Sequence, residues 1–90
     1  MPSYRAPLRD MRFVMFELLD AQTVLNQMPA YVDLDAETIN AVLEEGAKFA
    51  ENVAFPLNQS GDLEGCTYHG NGVVTTPKGF KEAYEQFSEA

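Results

Sequence analysis

Ninety residues fit one small domain, and 46% hydrophobic residues is too apolar a composition for a disordered chain. The formal net charge is -8, and the six basic residues, Arg5, Arg9, Arg12, Lys48, Lys78 and Lys81, form no dense patch. Nucleic acid and anionic membrane surfaces are therefore poor partners, because both attract clustered Lys and Arg. Cys66 is the single cysteine, so no disulfide forms within the chain, as suits a reducing compartment. The start Met1-Pro2-Ser3-Tyr4-Arg5 lacks the basic region and apolar core of a secretory signal. The most apolar run, Phe13-Val14-Met15-Phe16-Glu17-Leu18-Leu19, carries a charge and is far shorter than the ~20 residues of a membrane-spanning helix. The expectation is a soluble, cytoplasmic protein with no membrane insertion.

In chain order, residues 1–8 read as an irregular lead containing Pro2 and Pro7. Asp10 to Leu19 predicts a first helix. Met11, Met15, Leu18 and Leu19 share one side, while Phe13, Val14 and Phe16 widen the apolar surface. A helix apolar on most sides is expected to be buried on most sides, in part by residues outside this chain. Asp20 to Gln27 predicts a short second helix capped by Asp20 and ended by Pro29, with Ala30–Leu34 as connector.

The longest predicted helix starts at Asp33 or Asp35, either of which can accept free amide hydrogens of the first turn. Ile39, Val42, Leu43, Phe49, Ala50, Val53 and Leu57 follow the three-and-four spacing of one face. Asn40, Glu44, Glu45, Lys48, Glu51 and Asn52 fall toward water. Gly46 suggests a close helix crossing, since a mid-helix glycine costs about 1 kcal/mol relative to Ala. Pro56 predicts a kink, with the helix ending near Gln59 and Ser60–Gly65 forming a polar turn.

Asn71-Gly72 between β-prone residues predicts a hairpin over Cys66–Thr75, which must lie on the helices because two isolated strands are marginal. Thr76-Pro77 predicts the last helix start, with Thr76 as cap and Pro77 at the first position. Phe80, Ala83, Tyr84 and Phe87 share one face of that helix. The pattern runs to Ala90 without a Gly, Asn or Pro stop, which predicts the first piece of something longer. The fold class is mainly α: three to four helices, with a small β-hairpin before the last.

Few residues carry chemistry. Cys66 and His69, with Asp62 and Glu64 nearby, are the sole metal-like or thiol–imidazole grouping. A structural zinc site needs four protein ligands, so a turn with a partly buried thiol and a surface imidazole is the favoured reading. Gly61, Gly65, Gly70, Gly72 and Gly79 match neither a dinucleotide fingerprint nor a P-loop. Thr76-Pro77-Lys78-Gly79 can in principle hold a phosphate at a helix N-terminus, though most such termini hold none. Glu44, Glu45, Glu51, Glu82, Glu85 and Glu89 read as solvated charge. Tyr68, Tyr84, Phe80 and Phe87 read as packing surface rather than a stacking platform. No catalytic, cofactor-binding or metal-binding residue is assigned.

Three stretches carry a resemblance. Tyr4-Arg5-Ala6-Pro7-Leu8-Arg9-Asp10-Met11-Arg12-Phe13 is similar to the start of a subgroup of the acyl-CoA dehydrogenases. The similarity continues through Ala54-Phe55-Pro56-Leu57-Asn58-Gln59-Ser60-Gly61-Asp62. It is strongest at Gly65-Cys66 and in Val73–Tyr84. The subgroup includes 3-methylmercaptopropionyl-CoA dehydrogenases.

The resemblance implies FAD-dependent oxidation of an acyl-CoA thioester to the 2,3-enoyl-CoA, in fatty acid metabolism, with an electron-transfer acceptor and a homo-oligomeric parent. It implies that residues 1–90 are part of the N-terminal helical domain, with the middle β-domain and C-terminal helical bundle lying elsewhere. The family's base and FAD contacts match no position here, so the segment is expected to scaffold the enzyme, bind no FAD itself and be inactive alone. The alternative expectation is a non-catalytic helical module that closes its apolar faces by interaction or self-association.

Overall fold

The computed structural model describes residues 3–90. Met1 and Pro2 of the predicted irregular lead lie outside the described residues. The chain divides into two compact units, one ending at Lys48 and one spanning Phe49–Ala90. Counting each π-helical stretch with the helix it continues, four helices and one two-stranded hairpin make up the described residues, with the hairpin before the last helix. The mainly helical class expected from the sequence is what the chain adopts.

The first unit begins with α1 (Leu8–Arg12), two residues earlier than predicted, because Leu8 is the first residue beyond the φ-locked Pro7. Met11 N–H donates to the Pro7 carbonyl at 3.0 Å and starts the helical ladder. From Phe13 to Leu18 the helix widens to π-helical hydrogen bonding, seen again where Leu19 N–H donates to the Val14 carbonyl at 2.9 Å. None of these residues is buried: Phe13 is 52% exposed, Leu18 64% and Leu19 59%. The expectation of burial on most sides is not met within this chain.

α2 (Ala21–Asn26) is one residue shorter at each end than predicted. Asp20 precedes it, and its carbonyl accepts the Val24 N–H at 3.2 Å, but its side chain caps no first-turn amide. Its φ of 48° is left-handed, and its carboxylate instead accepts the Thr23 hydroxyl at 3.0 Å. Pro29 acts through its predecessor: Met28 is extended, as residues before proline prefer, and Pro29–Tyr31 forms a 3₁₀ turn within the predicted connector. The Asn26 amide clamps that connector by donating to the Tyr31 and Leu34 carbonyls, both at 2.8 Å.

α3 (Ala36–Phe49) starts after Asp35, the second of the two aspartates offered by the sequence. The Asp35 carboxylate accepts the Thr38 N–H at 2.8 Å. That bond, and then the Thr38 hydroxyl, hold the carboxyl below its ordinary value of 3.8. Ile39 and Ala47 are buried and form the small core of the described residues. Gly46 contradicts its predicted role. A Cβ there would meet nothing within 4 Å, so among the described residues no element crosses closely at this point.

The second unit opens with π-helical Ala50–Ala54 and passes into α4 (Phe55–Glu64). The predicted helix end near Gln59 is therefore wrong, and residues 60–64 of the predicted polar turn are helical. Pro56 has no N–H to donate, and the wider π turns just before it absorb the mismatch, so the helix continues. The Ser60 hydroxyl folds back on the Pro56 carbonyl at 3.3 Å. Gly65, at φ 70°, ends the helix in a conformation that glycine alone adopts at no steric cost.

β1 (Thr67–Gly70) and β2 (Val73–Thr75) pair antiparallel, with Thr67 opposite Thr75 and Tyr68 opposite Val74. The register then shifts, so that Gly70 faces Val73 and His69 is the extra residue of a bulge. Asn71 at φ 54° and Gly72 at φ 79° supply the two positive angles of the predicted tight turn. Every strand residue except Gly70 is exposed, so the expected seat on the helices buries none of their side chains.

α5 (Phe80–Glu89) begins three residues after Pro77 rather than at it. Gly79, at φ 94°, is the residue before the helix, and Thr76 does not cap it. The Phe80 ring lies where a Cβ on Gly61 would be, 2.5 Å from its Cζ, so the absence of a side chain at Gly61 admits the aromatic ring. Phe49 and Phe87 meet with ring centroids 5.6 Å apart in a tilted arrangement.

Candidate functional site

The sequence candidates do not converge. Cys66 is a free thiol, exposed rather than partly buried as expected, and His69 lies on the exposed hairpin with Nε2 2.6 Å from the Thr75 hydroxyl. The imidazole is thus engaged with a strand neighbour. Among the described residues no group of three or more His, Cys, Asp or Glu side chains gathers to hold a metal ion.

The proposed phosphate cradle at Thr76–Gly79 already has an anion. The Lys78 N–H donates to the Glu64 carboxylate at 2.9 Å. The turn is not the first turn of α5 because Gly79, at φ 94°, breaks the right-handed helical path between Pro77 and Phe80. A phosphate arriving here would have to displace a like charge. Glu45 pairs with Lys48 at 3.1 Å on the surface. Tyr84 and Phe87 are 70% and 64% exposed, so the aromatic face of α5 is bare toward solvent even though Phe80 and Phe87 each touch a neighbour.

A grouping that the sequence did not single out lies in the first unit. Arg12 donates from Nε to the Asn40 carboxamide at 2.8 Å and from Nη2 to the Glu44 carboxylate at 3.0 Å. Asn40 and Glu44 are one turn apart on α3, so a single guanidinium fork spans both. The available signal was that four-residue spacing of two acceptors. Its partner, 28 and 32 residues earlier, has no local signature.

Beside this link runs an open cleft of about 480 Å³, lined by Arg9, Arg12, Phe13, Phe16 and Glu17. All five belong to the one helical stretch of residues 8–18. The side chains of Arg9 and Glu17 have no ion pair or hydrogen bond among the described residues. The cleft can therefore offer a cation, a carboxylate and two aromatic rings along one groove.

The sequence resemblance is borne out: the chain is similar, over nearly all of its length, to acyl-CoA dehydrogenases. It is 35% identical over 85 residues to the 3-methylmercaptopropionyl-CoA dehydrogenase of Ruegeria pomeroyi, a match covering 94% of this chain and 14% of that protein. It is 34% identical over 91 aligned residues to the butyryl-CoA dehydrogenase of Syntrophomonas wolfei, covering 98% of this chain and 15% of that protein. The chain thus spans about one seventh of the length of these curated relatives. No protein-family model matches it.

The cleft does not fit a flavin. Its walls come from one side of one helix, so no second face lies opposite to sandwich an isoalloxazine ring, and Glu17 adds a negative charge where a pyrophosphate would need donors. No flavin chemistry is assigned to these residues. Among the described residues, no helix is long and apolar enough to cross a membrane.

Proposed function

We propose that this chain is a helical scaffold portion of a longer, FAD-dependent acyl-CoA dehydrogenase. In such an enzyme an acyl-CoA thioester is oxidised to the 2,3-enoyl-CoA, with FAD as hydride acceptor, a carboxylate as base and an electron-transfer partner to reoxidise the flavin. Residues 1–90 form part of the N-terminal helical domain, and the remaining domains of the same polypeptide supply the base and the flavin site. The role of this portion is to pack against those domains and help wall the acyl-CoA cleft, in the cytoplasm. The observation that carries the reading is the 34–35% identity to two acyl-CoA dehydrogenases over nearly the whole chain. The exposed apolar side chains of α1, its π-helical continuation and α5 supply surface for that packing.

The test is the intact mass of the protein made from its native gene, with a flavin spectrum before and after addition of acyl-CoA. A polypeptide much heavier than 10.0 kDa, with a flavin band that bleaches on substrate, supports the reading. A colourless 10.0 kDa protein overturns it in favour of a non-catalytic interaction module. The 90-residue chain by itself is expected to show no dye reduction with acyl-CoA, because a hydride transfer needs a flavin and a base held against the substrate.

A further inference from the structure

The chain has five asparagines, and four of them, Asn26, Asn40, Asn52 and Asn58, lie in helical stretches and precede Gln27, Ala41, Val53 and Gln59. Asn71 differs on every count. It sits at the tip of the β1–β2 hairpin, is exposed, and precedes Gly72. Its carboxamide has no hydrogen-bond partner among the described residues. By contrast the Asn26 amide donates to two carbonyls and the Asn40 carboxamide accepts from Arg12. Asn71 also holds a left-handed φ of 54°, which is strained for a residue with a side chain. Gly72 has no Cβ to shield its backbone nitrogen, and a Cβ there would meet nothing within 4 Å. The N–H of that nitrogen donates to the Tyr68 hydroxyl at 3.3 Å.

We propose that Asn71-Gly72 is a self-modification site, where asparagine converts through a succinimide to an isoaspartyl or aspartyl residue, and that Tyr68 is the latch on it. The Gly72 backbone nitrogen attacks Asn71 Cγ. The new C–N bond closes a five-membered ring, the Cγ–Nδ2 bond breaks, and ammonia leaves with the Gly72 amide proton. Water then opens the ring at either carbonyl; nothing is oxidised or reduced. The Tyr68 hydroxyl opposes the first step, because a hydrogen bond to the protonated nitrogen disfavours loss of its proton. Ring closure also needs the Asn71 backbone to rotate out of the tight turn, so it draws on the opened hairpin. That opening costs little: two strands alone are marginal, and every strand residue except Gly70 is exposed. Both products add a negative charge to a chain already at -8. The isoaspartyl product also lengthens the backbone by a methylene, which a two-residue turn cannot accommodate in register. The hairpin thus carries a water-driven change that loosens β1 from β2, and the 2.6 Å contact between His69 and Thr75 reports it.

The test is peptide mapping of the protein expressed from its own gene after incubation at mildly alkaline pH, with isoaspartate counted by an isoaspartyl methyltransferase. The expected result is the mass gain of an amide replaced by a carboxyl, appearing first in the peptide that holds position 71, with isoaspartate in excess there. Tyr68→Phe should speed the conversion roughly threefold, the rise in open population when one exposed hydrogen bond is lost. Gly72→Ala should slow it about tenfold or more, because a methyl group beside the attacking nitrogen raises the barrier. Loosening of the turn alone would speed it instead. Asn71→Gly keeps a turn that accepts positive φ and should abolish the gain. The His69 and Thr75 resonances check that each variant holds its hairpin before incubation, and the mapping of the wild-type chain stands whether or not a variant does. Conversion at another asparagine first, or none at position 71 while the urea-unfolded chain converts there, would overturn the site. An unchanged or slower rate in Tyr68→Phe would overturn the latch, and a Gly72→Ala chain as fast as the wild type would overturn attack by the Gly72 nitrogen.

Discussion

The unit ending at Lys48 and the unit Phe49–Ala90 are of similar length but are held by different contacts. The first relies on polar links across the chain: Arg12 to Asn40 and Glu44, the Asn26 amide to two carbonyls, and the Asp35 cap. The second relies on side chains fitted into glycine gaps: the Phe80 ring at Gly61 and the Leu57 methyl at Gly79, with Phe49 against Phe87. Partly exposed polar links tolerate loss because water replaces them. A gap filled by a side chain tolerates no added atom. The two halves should thus respond to substitution very differently.

The largest effect should come at Gly79. Its φ of 94° disfavours any side chain, and a Cβ would approach Leu57 Cδ2 to 2.8 Å. Gly79→Ala should destabilise α5 by about 2 kcal/mol, read as faster amide exchange over Phe80–Glu89 with the first unit unchanged. Gly61→Ala comes next, at about 1 kcal/mol, since the Phe80 ring is partly exposed and can turn aside; a Gly61→Ala chain that exchanges like the wild type would remove the packing argument.

In the first unit, Gly46→Ala should instead stabilise α3 by up to about 1 kcal/mol, because the added methyl meets nothing within 4 Å. Slower exchange in α3 is the readout, and destabilisation would mean that something does cross there. Arg12→Ala should cost only about 0.5 kcal/mol, discounted because the Arg12 and Glu44 side chains are 37% and 59% exposed. That effect should shrink as salt is added.

The smallest effect concerns pH. The Asp35 carboxyl is held below its ordinary value of 3.8, so its contribution is complete above that pH and disappears as pH falls through the lowered folded value. Asp35→Asn retains a capping oxygen and should keep the helix start while removing this acid dependence, as followed by helix content between pH 5 and 2, the approximate span of such a titration.

The legible parts of this fold were those with a local cause. Asn71-Gly72 fixed the hairpin because both residues accept positive φ, and Asp35 was a correct helix-start candidate because a short carboxylate reaches the first-turn amides. Thr76-Pro77 misled because Gly79 takes a left-handed φ of 94° two residues on, which ends the turn and starts the helix at Phe80. The π-helical stretches were invisible because they keep the apolar composition of the helices they continue. Gly46 invited a packing explanation that its open surroundings refute. The groove of Arg9, Phe13 and Glu17 was not legible, because Arg9 lay outside the helix predicted from Asp10 and joins its face only once the helix starts at Leu8.

A core limited, among the described residues, to Ile39 and Ala47 also governs how the molecule comes apart. Few apolar side chains are fully hidden in the native chain, so less apolar surface than usual is newly hydrated on unfolding. The heat-capacity increment should therefore be small and the denaturant dependence shallow for a chain of this length. Melting should be broad and gradual, with each helix fraying at its own temperature, and a bound partner should sharpen it into a single cooperative step.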